Sequence, residues 1–492
     1  MKYYIGIDLG TSAVKLMLVD ADGQIKRVVS RDYPVSYPHV NWSEQDPKDW
    51  WNAISDALFE LLSGYDGQAV AGIGIAGQMH GLVVLDKNDR VIRPAILWND
   101  GRADKETDYL NFTLGKEKLF GYTGNIAFAG FTAPKLMWMR RNEPESFAKI
   151  SKIMLPKDYI NYILTGVHCT DLSDASGFLM LDVKNKRWSA EMLDICGVNE
   201  EQMPRLYESF DSVGKIKGEL AEKFGISKDA IVVAGAGDNA AAALGTGTVG
   251  EGRCNISIGT SGTIFVPCKS FFGDYRQAIH SFCHADGGYH LMGVVMSAAY
   301  CNKWLCNDIL ATSDYDAEER SVKDCALGKN DVFFLPYIMG ERSPINDTDA
   351  TGTFVGLRGS SSRADVYQAV LEGVAFAFRD NLEIIRGFGI DITDSCICGG
   401  GTRSKLWCKI IANILNLELH LPVNEQGPGY GSAILAMVGA GESESVVELA
   451  EKLFKVNEVI RPDPELVSLY NERYERYRKI YPALKNLYKD IK

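Results

Sequence analysis

Along this chain, short apolar or alternating runs trade places with apolar residues at helical spacing, with no low-complexity tract and no long Pro/Ser linker. That pattern predicts an α/β protein. Residues 3–8 and 14–20 read as two strands joined by Leu9-Gly10-Thr11-Ser12-Ala13, a turn of small residues. Asp46 followed by Pro47 marks a helix start. Trp50, Ile54, Leu58 and Leu61 then recur at helical spacing until Gly64 stops the run. Strands are expected again at 70–76, 81–85 and 91–97. Further on, Ser362 caps a helix whose stripe is Val366, Val370, Val374 and Phe378. Gly399-Gly400-Gly401 leads into another helix, with Leu406, Ile410 and Ile414 on one face. The tail sets Leu466, Tyr470, Tyr474, Tyr477 and Tyr481 at helical spacing, a packing surface rather than a ligand site.

The opening pattern returns at Asn255-Ile256-Ser257-Ile258-Gly259-Thr260-Ser261-Gly262-Thr263, again strand, Gly-Thr-Ser turn, strand. Two copies so far apart suggest a duplicated domain rather than a short-period repeat. Each half is expected to be a mixed sheet with helices, with a cleft between them. The boundary is expected in the glycine-rich stretch 245–250, giving domains 1–248 and 249–492.

Composition narrows the function classes. Lys plus Arg number 52 against 64 Asp plus Glu, a formal charge of −12, with no basic run to offset it. Nucleic acid is not the expected partner. The 11 cysteines show no C-x-x-C and no disulfide framework. Asp8 interrupts the N-terminus before an apolar signal core could form, and no run approaches a membrane span. A cytoplasmic protein with reduced thiols is expected.

The missing motifs matter as much. There is no G-x-x-x-x-G-K-[ST] and no G-x-S-x-G. Three stretches fit a dinucleotide fingerprint in part. The glycines of 72–77 lie inside a strand with no helix after them, and 245–250 follows a helix rather than a strand. Gly235-Ala236-Gly237-Asp238-Asn239-Ala240 does join strand to helix, but Asp238 would put a negative charge where a pyrophosphate must approach. His280-Ser281-Phe282-Cys283-His284 lacks a second ligand pair at zinc spacing.

The two Gly-Thr-Ser turns are more telling. Small residues let backbone N–H groups converge on an anion, and Thr11, Ser12, Thr260 and Ser261 add hydroxyl donors. Asp8 places a carboxylate beside the first turn, suited to holding Mg²⁺ through water. Asp238 opens a helix after an apolar strand, where a helix N-cap and a general base are both open readings. Gln78-Met79-His80-Gly81 occupies a glycine-flanked turn between strands, as a ligand contact would. Trp98-Asn99-Asp100-Gly101-Arg102 offers polar groups for hydroxyls at another strand end.

Asp8-Leu9-Gly10-Thr11-Ser12, Ile258-Gly259-Thr260-Ser261-Gly262 and Gly399-Gly400-Gly401 together resemble the actin, sugar-kinase and heat-shock ATPase superfamily. Within it the chain is similar over nearly its whole length to the FGGY carbohydrate kinase family. Gln78-Met79-His80-Gly81, Phe131-Thr132-Ala133-Pro134-Lys135-Leu136, Leu155-Pro156-Lys157-Asp158-Tyr159, Gly237-Asp238-Asn239-Ala240 and Gly340-Glu341-Arg342-Ser343-Pro344 carry the resemblance in order. It implies a duplicated actin-like, ribonuclease H-like ATPase fold and ATP-dependent phosphorylation of a sugar. The Met79-His80 pair points to a ketopentose, D-xylulose foremost, before ribulose or glycerol. By the same resemblance Asp238 is the catalytic base, and Asp8 the carboxylate near Mg²⁺. Met79, His80, Asp238, Asn239 and Arg102 meet the sugar. Gly10, Thr11, Ser12, Gly259 and Thr260 meet the ATP phosphates, and Gly399, Gly400 and Ser404 border the adenosine. Thr402-Arg403-Ser404 departs from the family pattern and leaves the adenine contacts open. A homodimer is the expected assembly. A heat-shock-type ATPase and an NAD-dependent oxidoreductase are the rival classes. The first should carry a β-rich peptide-binding region and lid, whereas here one helical tail follows the Gly399 motif.

Overall fold

The computed structural model of the chain describes residues 2–276, 278–423 and 427–491. Strands β1 (Tyr3–Leu9), β2 (Ala13–Asp20) and β3 (Ile25–Asp32) form an antiparallel meander. Helix α1 (Pro47–Leu62) leads to β4 (Val70–Gly77), which lies parallel to β1. After α2 (Pro156–Thr165) come β5 (Ser212–Lys215), β6 (Ile231–Val233) and the two-residue β7 (Ala236–Gly237). The sheet runs β5-β6-β4-β1-β2-β3, with β7 paired to the end of β4. Helix α3 (Asp238–Gly245) starts directly from β7.

The second half repeats this plan. It comprises β8 (Arg253–Ile258), β9 (Gly262–Cys268), β10 (His280–Cys283) and β11 (Tyr289–Val295), then α4 (Arg363–Gly387) and β12 (Asp394–Cys398). Helix α5 (Lys405–Leu415), β13 (Glu418–Pro422), α6 (Gly427–Gly439) and β14 (Val456–Ile460) follow. Its order, β14-β13-β12-β8-β9-β11-β10, matches the first sheet strand for strand, with one extra edge strand. The senses match too. β8 is antiparallel to β9 and parallel to β12, as β1 is to β2 and β4. The recurrence seen at Asn255 is a duplicated actin-like, ribonuclease H-like fold.

Local chemistry explains the elements. The Asp46 carboxylate accepts the Lys48 amide at 3.0 Å, with Pro47 in the first turn of α1. At α4, Ser362 and Asp365 satisfy each other's amides reciprocally. Two expectations change. The run at 91–97 shrinks to the two-residue strand Ala95–Ile96, because Asp86 accepts the Asn88 and Arg90 amides in a turn just before it and Pro94 has no N–H to pair. The tail is two helices, Pro464–Tyr477 and Ile480–Asp490, since Pro482 lacks the N–H that a continuous helix would return to residue 478.

Helix α6 belongs to the second half by sequence but packs on the first sheet. A Cβ on Gly6 would lie 1.9 Å from Gly429 O, and one on Gly74 would lie 2.0 Å from Ser432 O. The glycines of 72–77 therefore serve close helix–sheet approach, not a dinucleotide. A cut at 248/249 separates the two sheets but not this helix. Among the described residues no disulfide forms, and no helix is long and apolar enough to cross a membrane.

Candidate active site

Asp8 and Asp238 end neighbouring lines of the first sheet. Asp8 pairs with Ala76 of β4, and Ala76 with Ala236 of β7, so β1, β4 and β7 finish level with one another. Ligands of open parallel sheets gather at such carboxyl ends. The turn after Asp8 is tied down from several sides. Gly10 N–H reaches Ala13 O at 3.1 Å, Gln45 Nε2 donates to Thr11 O at 2.6 Å, and Tyr33 OH donates to Gly10 O. Trp98 Nε1 donates to Thr11 Oγ1 at 2.9 Å, while Ser12 stays exposed. The Asp8 carboxylate accepts no hydrogen bond from a described side chain or amide. Burial lifts it to about 6, against the pull of cross-strand Lys15.

Asp238 is the first residue of α3, and Gly237 holds the N-cap position with no side-chain cap bond. The N-cap reading of Asp238 is thereby removed. Its carboxylate accepts from the Asn239 backbone amide at 2.7 Å and from Asn239 Nδ2 at 3.1 Å. Burial, then the nearby charge of Asp8, raises it to about 7. Met79 is buried against this turn: a Cβ on Gly237 would sit 2.9 Å from its Sδ, and Asn239 Nδ2 lies 3.9 Å from the same sulfur.

His80 takes a left-handed backbone, φ +70°. Its carbonyl is held by Thr132 Oγ1 and Lys135 Nζ at 2.9 Å each. Its Nδ1 lies 3.1 Å from Gly177 O. A carbonyl only accepts, so the ring proton sits on Nδ1 and Nε2 keeps a lone pair for a hydroxyl. Burial, reinforced by Lys135, lowers the imidazole to about 3, so it is neutral at physiological pH.

Arg102 is not brought to this site as a free cation. Its side chain is 0% exposed, with Nη2 2.7 Å from Asp100 Oδ2 and Nη1 2.7 Å from Glu44 Oε1. Its guanidinium lies 3.8 Å over the Trp42 ring. Those partners consume the group, and the sugar contact expected of it is corrected to a structural ion pair.

In the second half, the Gly259-Thr260-Ser261 turn joins Ile258 to its partner Gly262. The Gly259 and Thr260 carbonyls accept the Ala299 and Ala298 amides at 2.9 Å, leaving the Thr260 and Ser261 side chains exposed. Gly399, at φ +94°, follows β12 so closely against β8 that a Cβ would lie 2.6 Å from Ile258 O. A cavity of about 540 Å³ opens here, lined by Thr260, Gly400 and Ser404 together with Tyr300, Tyr315 and Glu319. Its size suits a nucleoside. Ser404 Oγ accepts the Trp407 amide at 3.0 Å as the cap of α5. Thus Thr260, Gly400 and Ser404 share one cavity, as Asp8, Asp238, Met79, His80 and Asn239 cluster at the first sheet.

Several further groups near the site had no role assigned from the sequence. Tyr300 and Tyr315 carry no motif. Gly429, whose added Cβ would lie 3.5 Å from Asp8 Cβ, brings the start of α6 beside the first turn. Lys157, fully buried, sits 2.8 Å from Asp158, 3.0 Å from Asp171 and 3.1 Å from Ala234 O. It braces the segment leading to Asp238. Its signal in the sequence was its place in Leu155-Pro156-Lys157-Asp158-Tyr159, which does not say what a buried lysine there would pair with. Residues His280–Cys283 form β10 with His284 just after it, and no group of three metal-ligating side chains gathers among the described residues.

Residues 3–245 match the N-terminal domain of the FGGY family of carbohydrate kinases, and residues 254–440 match its C-terminal domain. The chain is 40% identical over 483 residues to the xylulose kinase of Escherichia coli K12, covering 98% of this chain and 99% of that one. A crystal structure of a xyloylose kinase from Brucella ovis superposes with a TM-score of 0.94 at 41% identity, over 99% of this chain and all of that one. A gluconate kinase from Lactobacillus acidophilus superposes with a TM-score of 0.93 at 28% identity, covering 100% of both chains.

Proposed function

The chain belongs to the FGGY family of carbohydrate kinases, and from that membership we propose that it transfers the γ-phosphoryl group of ATP to the C5 hydroxyl of D-xylulose, giving D-xylulose 5-phosphate and ADP. The observation that carries the reading is the Asp238 carboxyl. It is half-buried, held near neutrality, and flanked by Met79, His80 and Asn239 on one side and Asp8 on the other. The relatives named as xylulose kinases support the choice of sugar.

The chemistry follows from positions. The sugar lies against Met79, with His80 Nε2 and Asn239 holding hydroxyls. Asp238 takes the C5 hydroxyl proton as that oxygen bonds to the γ-phosphorus, and the bond from phosphorus to the ADP oxygen breaks. Positioning and charge neutralisation supply most of the acceleration. The 540 Å³ cavity takes the adenosine, and the turns at Gly10, Thr11 and Ser12 and at Gly259 and Thr260 face the phosphates. Gly399 packs the cavity rim against β8. Mg²⁺ fits the donor set: Asp8 is a hard oxygen ligand whose charge is otherwise unspent, with like charge from Asp238 nearby. A bound Mg²⁺ would neutralise phosphate charge; the proton transfer belongs to Asp238. The division 1–248 and 249–492 then separates the sugar half from the nucleotide half. A cytoplasmic setting, where ATP is available and cysteines stay reduced, goes with it.

Sugar-dependent ADP release with D-xylulose, L-ribulose, glycerol and gluconate tests the reading. D-xylulose is expected to give the highest kcat/KM. If glycerol or gluconate gave it, the sugar assignment would fail while the kinase chemistry stood.

A further inference from the structure

Arg342 reaches the wall of the sugar site from the other half of the chain. Its guanidinium lies 5.1 Å from the centre of the Phe128 ring. Phe128 meets Phe131 edge-on at 5.7 Å, and the Phe131 ring lies 4.8 Å from His80. Phe128 also contacts the His280 ring at 5.0 Å. One aromatic cluster thus connects His80 to Arg342, drawing Phe128 and Phe131 from the first half and His280 from the second.

No carboxylate among the described residues forms an ion pair with this cation, and the one nearby charge acting on it is that of the adjacent Glu341. Among the described residues its guanidinium makes no hydrogen bond and no ion pair; only its backbone amide and carbonyl are bonded. Glu341, next to it in sequence, spends Oε1 on the amides of Met296 and Arg342 at 2.8 Å each. Burial lifts the Glu341 carboxyl to about 8, so near pH 7 it is mostly neutral. The two histidines that feel the guanidinium charge, His80 and His280, are themselves neutral. A partly desolvated charge without a partner is costly to keep. Contact with the Phe128 ring face offsets part of that cost but supplies no hydrogen-bond acceptor. Guanidinium groups are, however, shaped to take two phosphoryl oxygens at once.

The proposed reaction would bring an anion to this wall of the site. Before transfer the sugar is neutral, and after it the C5 oxygen carries a phosphoryl dianion. We infer that Arg342 is a phosphoryl-binding residue which the second half contributes to the sugar site, pairing with the phosphoryl oxygens of the sugar phosphate. This rests on the kinase reading above.

The experiment compares wild type, Arg342→Met and Arg342→Lys by calorimetric titration with D-xylulose and with D-xylulose 5-phosphate. In Arg342→Met the sugar phosphate should bind about 10- to 100-fold more weakly, the range for a hydrogen bond to a charged group. Free sugar should bind within about twofold of wild type, Arg342→Lys should fall between, and the Tm should not drop, since no partner is orphaned. Unchanged sugar-phosphate affinity would overturn the inference. So would equal weakening of sugar and sugar phosphate, or a lower Tm that Arg342→Lys restores without restoring phosphate binding. If wild type proves to phosphorylate a different acceptor, the D-xylulose assignment falls, and the same comparison is run with that acceptor and its phosphate. A wild type that phosphorylates no acceptor defeats both.

Discussion

At the scale of single residues, two neighbouring carboxyls, Asp8 and Asp238, are both held above the usual carboxylate range by burial. Asp238 is raised to about 7 by burial and by the charge of Asp8. As the proposed base, Asp238 would have to be deprotonated, so kcat/KM for the sugar should fall about tenfold per pH unit below pH 7 and level off above it. Stability carries the opposite sign. The fold holds a proton on Asp238 that the unfolded chain has already lost, so this group favours the fold at low pH and loses that contribution as pH rises through about 7. Asp8→Asn should raise the Mg²⁺ concentration for half activity by ~10-fold, because it removes a hard ligand charge. It should also move the acid limb of the pH profile downward, because the like charge facing Asp238 is gone. An unchanged Mg²⁺ titration and an unmoved limb would reduce Asp8 to a turn residue. Asp8, Asp238, Met79 and His80 could be picked out as candidates in the sequence because each stands at or beside the end of a strand. Arg102 misled for a physical reason: Trp42, Glu44 and Asp100 close on it only once the chain folds.

At the scale of elements, the contact between α6 and the first sheet depends on the absence of side chains. Gly74→Ala would drive a Cβ into Ser432 O, 2.0 Å away and backbone on both sides. About 3 kcal/mol of destabilisation is expected, the upper end for overpacking, measured as a lower denaturation midpoint. A midpoint within error of wild type would show that α6 sits further from β4 than described. The caps at Asp46, Ser362 and Ser404 were readable because a cap is a local bargain between neighbours in sequence. The role of the glycines of 72–77 was not. Glycine spacing in a strand looks the same whether a pyrophosphate or a helix comes close, and the helix that meets Gly72 and Gly74 comes from more than 350 residues away.

At the scale of the whole molecule, duplication was visible because each copy kept its strand–turn–strand signature around a Gly-Thr-Ser turn. What joins the copies was not, since Arg342, Lys157 and the aromatic cluster around Phe128 act through contacts that no local pattern announces. The proposed reaction requires of the assembled molecule that the second half bring a nucleotide to a base that the first half presents. The most direct test is ADP release at saturating ATP and D-xylulose by wild type and Asp238→Asn at pH 8, with sugar binding followed by tryptophan fluorescence. Asn keeps an acceptor for the Asn239 amide, and Gly237 rather than Asp238 holds the N-cap, so the variant should fold normally. The account predicts a kcat at least ~10²-fold lower with sugar affinity within about threefold. A folded Asp238→Asn protein that releases ADP at a near-normal sugar-dependent rate would contradict it.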